Sequence, residues 1–228
     1  MVNELLAFLT DNYFMIIYGV ALILSVYKYK YYYDSALKTF PIIIGYVLLT
    51  EILGFLIAES NEIQLVFEEG YANHNHLIYN ILDIILFLYF IRVFRKSISN
   101  LRSKQLILYG TIGFLLISIC NAFFQDFRLH PQLATMGFGA ILLIFCALTY
   151  YMEIKEKPKR FSNYNRLLRH IVVGILLFYP FYPVIISVGY FNPGLFLDLD
   201  LRTLLFTLIL IMYSSFIIGF LSLRKIRL

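Results

Sequence analysis

The sequence predicts an all-α integral membrane protein: a single domain over residues 1–228 made of seven transmembrane helices, N-terminus outside and C-terminus in the cytoplasm. Three observations lead there. The chain is 61% hydrophobic and only 14% charged, with mean hydropathy +0.78, where a soluble domain carries about 25% charged residues. Its apolar residues gather into seven stretches, and a helix needs ~20 residues to cross the hydrocarbon. Seventeen of the nineteen Lys and Arg residues fall in alternate connections between those stretches, and basic connections stay on the cytoplasmic side. A backbone facing lipid must satisfy its own hydrogen bonds, which makes each stretch a helix. Seven spans use roughly 140 residues, so only short connections remain.

The first span, 12–27, follows Glu4 and Asp11 and precedes Lys28, Lys30 and Lys38. It lacks a basic leader and a small-residue cleavage site, so it is expected to stay in the membrane. Tyr27, Tyr29, Tyr31, Tyr32 and Tyr33 then read as an interfacial aromatic belt. The second span, 41–58, has Thr39 as its expected N-cap and Pro41 in its first turn, where a missing N–H costs nothing. An acidic loop from Glu59 to Asn75 leads to the third, 76–94, which ends on Arg92, Arg95 and Lys96. Ile63, Leu65, Val66 and Phe67 in that loop are expected to cover the mouth of the bundle. The fourth span, 106–125, starts after Arg102 and Lys104. Asp126 and a single Arg128 precede the fifth, 132–151. A basic segment from Glu153 to Arg169 then enters the sixth, 170–190. The seventh, 203–223, follows Asp198, Asp200 and Arg202 and precedes Arg224, Lys225 and Arg227.

Pro180 and Pro183 sit at mid-depth in the sixth span. Each removes an intrahelical hydrogen bond and clashes one turn back, so a kink or break is expected. Broken spans line binding sites in many transporters, and the same prolines equally suit a plain kink. Ser215 and Gly219 in the seventh span, and Gly137 and Gly139 in the fifth, allow close helix approach, inside the bundle or across a homodimer face. Cys120 and Cys146 lie at different depths and read as apolar packing. The net charge of +5 points to anionic lipid headgroups on the cytoplasmic side. Nucleic acid is excluded, because the basic residues are spread over separate segments.

The functional signal is the polar content of the hydrocarbon. Glu51 and Asp83 are carboxylates inside spans two and three, both in the outer half. His76, Asn80 and Asp83 share one helix face at i, i+4 and i+7. Asn121 and Gln125 repeat an i, i+4 spacing near the outer end of span four, and Gln132 opens span five there. These residues predict a polar pocket opening outward, flanked by Tyr179 and Tyr182 beside the prolines. The alternative is a clasp of hydrogen bonds between helices, each contributing only ~0.6 kcal/mol. His74 and His76 at i, i+2 diverge on a helix, so no metal and no cofactor is expected.

Several seven-span families lack their markers here. Span seven holds no lysine for retinal and no Asn-Pro-x-x-Tyr, and no histidine follows His170 to complete a zinc hydrolase. Pro131-Gln132 lies at the outer end without an echo in span one, unlike the PQ-loop repeat. The run Asn75-His76-Leu77-Ile78-Tyr79-Asn80-Ile81-Leu82-Asp83, followed by an aromatic stretch and Arg92, resembles uncharacterised seven-span membrane proteins of Bacteroidota. That resemblance covers mainly spans two to five. It implies a bacterial inner-membrane setting and carries no activity.

The expected function is a small receptor or sensor, more readily a non-enzyme, with Glu51, His76, Asn80, Asp83, Asn121, Gln125, Tyr179 and Tyr182 around its ligand. A separate protein would read its state at the Glu153–Arg169 segment. The alternatives are a proton- or cation-coupled transporter or channel using Glu51 and Asp83, and a structural subunit of a larger complex. Replacing Glu51 by Gln together with Asp83 by Asn should leave membrane insertion intact and abolish ligand response or transport. Unchanged function in that double variant would reduce the cluster to a clasp.

Overall fold

The computed structural model describes residues 13–59, 65, 75–156 and 163–223, and every regular element among them is helical. Helices α1 (Tyr13–Tyr27), α2 (Phe40–Glu59), α3 (His76–Ser97), α4 (Leu101–Phe124) and α5 (Leu133–Glu156) follow in order. Then come α6 (Asn163–Phe178), α7 (Tyr182–Phe191), the short α8 (Pro193–Asp198) and α9 (Leu201–Leu221). Counting α6 and α7 as one interrupted helix, six are long and apolar enough to cross a membrane, and α1 is a shorter apolar helix. This is a helical membrane bundle.

Helices α3 to α6 run beyond the expected spans at the basic end. Hydropathy marks where lipid stops, whereas intrahelical hydrogen bonding continues until a cap ends it. Asn100 is such a cap: its Oδ1 accepts from Arg102 N at 2.9 Å and from Ser103 N at 3.4 Å. Most of the connection expected between Glu153 and Arg169 is therefore helix. The Asn192-Pro193 pair likewise starts α8, with Asn192 Oδ1 accepting from Leu195 N at 3.1 Å. Asp200 enters α9 with φ +45°, a left-handed conformation that Asp tolerates better than most residues.

The tyrosine belt after α1 divides. Tyr27, Tyr29 and Tyr33 are exposed, as a membrane-interface role requires. Tyr32 instead turns inward, donating to Ser25 O at 2.6 Å and packing 5.9 Å from the Phe220 ring. It anchors the exit of α1 rather than facing headgroups. The two basic residues at the acidic end are also accounted for. Arg128 pairs with Asp126 at 3.5 Å, and Arg202 lies 5.5 Å from the centre of the Phe206 ring. The Arg128 backbone N–H on Asp126 holds that exposed carboxyl below the usual carboxylate range.

Six units close into a ring: α1 packs on α2, α2 on α3, α3 on α5, α5 on α6 and α7, α6 on α9, and α9 on α1. Helix α4 stands outside, packed on α3 and α5, and most of its surface is exposed. Toward the basic end an aromatic plug fills the ring. Phe40 of α2 meets Phe90 of α3 at 6.0 Å, and Phe216 and Phe220 of α9 at 5.6 and 5.8 Å. All four are buried.

The two prolines break the sixth span completely. Helix α6 stops at Phe178, and α7 starts at Tyr182 with Pro183 in its first turn, where the ring needs no N–H. The tightest contact in the bundle joins α6 to α9. Ser215 Oγ donates to His170 O at 2.7 Å, so this small residue of α9 packs against α6 inside the bundle. A Cβ built on Gly174 would lie 2.8 Å from the Phe216 ring and 3.0 Å from Met212 O. Gly137 meets nothing within 4 Å. Gly174→Val should destabilise the bundle by about 1–3 kcal/mol through overpacking. Gly137→Ala should leave it unchanged or raise it by about 0.5–1 kcal/mol by restricting the unfolded chain. Thermal unfolding of both variants in detergent checks the pair.

Candidate functional site

The ring encloses a cavity of about 290 Å³ above the aromatic plug. Every ring unit contributes to its wall: Tyr18 from α1, Glu51 from α2, Tyr79 and Asp83 from α3, Met136 from α5, Tyr182 from α7 and Tyr213 from α9. Asn75, His76 and Pro131 form the edge farthest from the plug. The roof expected from Ile63, Val66 and Phe67 lies outside the described residues.

Both carboxylates are held by phenol hydroxyls. Tyr79 OH donates to Glu51 Oε2 at 2.8 Å, and Tyr18 OH to Oε1 at 3.4 Å. Tyr182 OH donates to both oxygens of Asp83, at 3.1 and 3.0 Å. Asp83 is buried and Glu51 partly exposed. The helix break places Tyr182 for this role, because an uninterrupted sixth helix would present a different residue at that depth. Tyr179, within the break, lines the same wall and packs 5.3 Å from the Phe87 ring. The rings also pack on one another: Tyr18 meets Tyr213 edge-on at 4.4 Å, and Phe178 stacks on Tyr182 at 5.1 Å. Among the described residues the wall contains no lysine or arginine.

Of the residues expected around a ligand, Glu51, His76, Asn80, Asp83, Tyr179 and Tyr182 line this one cavity. Asn121 and Gln125 do not. They sit on α4 and its C-cap, outside the ring, where depth alone could not tell them from ring residues. Asn121 Nδ2 donates to Gln132 Oε1 at 2.9 Å, and Gln132 Nε2 donates to Gln125 O at 3.0 Å. These amides lock the α4–α5 connection to its helices.

Asn80 does the same from the cavity side. Its Nδ2 donates to Phe127 O at 2.8 Å and His130 O at 2.9 Å, and its Oδ1 accepts from Gln132 N at 3.1 Å. Carboxylates and phenols face the cavity and bond to one another across helices, while the amides tie the α4–α5 connection to backbone and to each other. Sequence reading missed Tyr18, Tyr79 and Tyr213, which look like ordinary membrane aromatics until their hydroxyls are located. It also missed Gly54, one turn beyond Glu51. A Cβ there would lie 2.5 Å from the Tyr79 hydroxyl, so glycine is what lets that phenol reach Glu51.

No protein-family model, no curated protein and no solved structure matches the chain.

Removing the Asn80 side chain takes its donor from the part-buried Phe127 and His130 carbonyls. Asn80→Ala should destabilise the protein by about 1–3 kcal/mol, with faster hydrogen exchange at the α4–α5 connection. Tyr182→Phe should cost less stability and leave that connection protected. Hydrogen-exchange mass spectrometry on both variants separates the two roles.

Proposed function

We propose that the protein is a small membrane receptor or sensor whose ring cavity takes a small ligand carrying a positive charge. One observation supports this above the rest: two carboxylates oriented by phenol hydroxyls share an aromatic cavity whose described wall has no lysine or arginine. Hydrogen-bonded carboxylates fix the position of an ammonium group, and tyrosine faces attract it through their π-electrons. The volume, about 290 Å³, lies at the lower limit of ordinary ligand pockets, which begin near ~300 Å³.

The aromatic plug favours a receptor over a conduit. Phe87 lies one turn below Asp83, and Phe90 two turns below, on the path to the basic end. With the basic end in the cytoplasm, the cavity faces outward, and a bacterial inner membrane is the proposed setting. Occupancy would be felt at α7 through Tyr182 and carried down α6 and α9 to the basic end, where a partner protein reads it. Glu153 is engaged there with the Ser99 backbone N–H at 2.8 Å, while Lys155 is exposed for such a contact. The broken α6–α7 helix supports a second reading, a cation-coupled transporter in which that break hinges.

The test uses the purified protein in nanodiscs with two probes of similar skeleton, 2-phenylethylammonium and 3-phenylpropionate. The ammonium should raise the unfolding temperature, and at about 100 times Kd the stabilisation is roughly 2.7 kcal/mol. The carboxylate should not, and Glu51→Gln with Asp83→Asn should remove the response. A shift with the acid alone, or with neither probe, contradicts the proposal.

A further inference from the structure

A second cavity lies between α3 and α4 at the basic end, remote from the first. It has a volume of about 500 Å³ and is lined by Arg92, Arg95, Lys96 and Lys104 over Leu88 and Leu108. Arg92, Arg95 and Lys96 fall at i, i+3 and i+4, on one face of α3. Lys104 comes from the first turns of α4, brought beside them by the tight connection that Asn100 caps. Among the described residues none of the four makes an ion pair. Four cations of like charge are unfavourable together unless an anion joins them.

The apolar floor decides the kind of anion. Leu88 lies one turn below Arg92, and Leu108 one turn beyond Lys104, both on the membrane side of the charges. A soluble phosphate would use the cations and leave this floor unused. We propose that the α3–α4 niche binds the phosphate headgroup of an anionic membrane lipid, its first acyl methylenes lying along Leu88 and Leu108. Four cations match a lipid with two phosphates better than one with a single phosphate. Basic niches between transmembrane helices suit such headgroups, because each charge near the surface contributes additively. The site also accounts for α4: this peripheral helix meets the ring partly through a lipid.

Native mass spectrometry of the full chain, released from phosphatidylcholine vesicles containing cardiolipin or phosphatidylglycerol, tests this. Cardiolipin should remain bound in preference to phosphatidylglycerol. Arg92→Gln with Arg95→Gln should weaken its retention about thirtyfold. Lys28→Gln with Lys30→Gln removes the same charge from the same end and should leave retention unchanged. Equal loss in both pairs would overturn the site in favour of general surface attraction. Displacement of the lipid by an equimolar amount of inorganic pyrophosphate would overturn the lipid assignment. No retained cardiolipin in the parent protein would overturn the proposal outright.

Discussion

The arrangement depends on how Glu51 and Asp83 are tolerated. A carboxylate at the centre of a membrane helix costs about 2.5–3.5 kcal/mol on insertion scales, so each must find donors within the bundle. The donors here are phenols, not cations: Tyr79 and Tyr18 for Glu51, Tyr182 for Asp83. A lysine or arginine would have closed each charge into a pair and filled the space beside it. A phenol satisfies the oxygens it reaches while leaving their remaining lone pairs open to a third party. Three features of the chain serve those contacts. Gly54 clears the path for Tyr79, the proline break presents Tyr182, and the Asn75 side chain donates to Gly54 O at 3.1 Å where α3 meets α2.

The ring sets which polar residues take part. Helices inside it contribute carboxylates and phenols to the cavity; α4, outside it, contributes amides to the connection. The same separation runs along the membrane normal. Inside the ring, the half holding the carboxylates encloses a cavity, and the basic half is filled by Phe40, Phe90, Phe216 and Phe220. On the proposed receptor reading, a ligand in the cavity would meet this floor, and its effect on the far end would travel through helices, chiefly the packed α6 and α9.

Much of this was legible in the residues. Hydropathy located the six long apolar helices and the shorter α1, because the energetics of lipid act on each residue independently of its neighbours. The break at Pro180 and Pro183 follows from backbone chemistry alone. Helix direction and spacing gather Glu51, His76, Asn80 and Asp83 in one half of the bundle, and they share a cavity. Asn121 and Gln125 share that end of the bundle but bond to Gln132 instead of lining the cavity. An almost uniformly apolar helix carries no amphipathic signal to say which face turns inward. For the same reason Tyr18, Tyr79 and Tyr213 could not be distinguished from lipid-facing tyrosines, and the outward position of α4 was not readable. The helix extensions beyond the basic surface were missed because hydropathy reports solvent, not backbone bonding.

The account stands on a cavity that is open, aqueous and electronegative, and thiol reactivity measures all three at once. Ile186 lines the cavity on α7. In a background with Cys120 and Cys146 replaced by Ala, Ile186→Cys is exposed to a cationic and an anionic methanethiosulfonate reagent, from either side of sealed vesicles. The account predicts reaction from the side opposite the basic end, with the cationic reagent faster, and loss of that preference when Glu51→Gln and Asp83→Asn are added. A thiol that reacts with neither reagent, or equally with both in the presence of the two carboxylates, would contradict it.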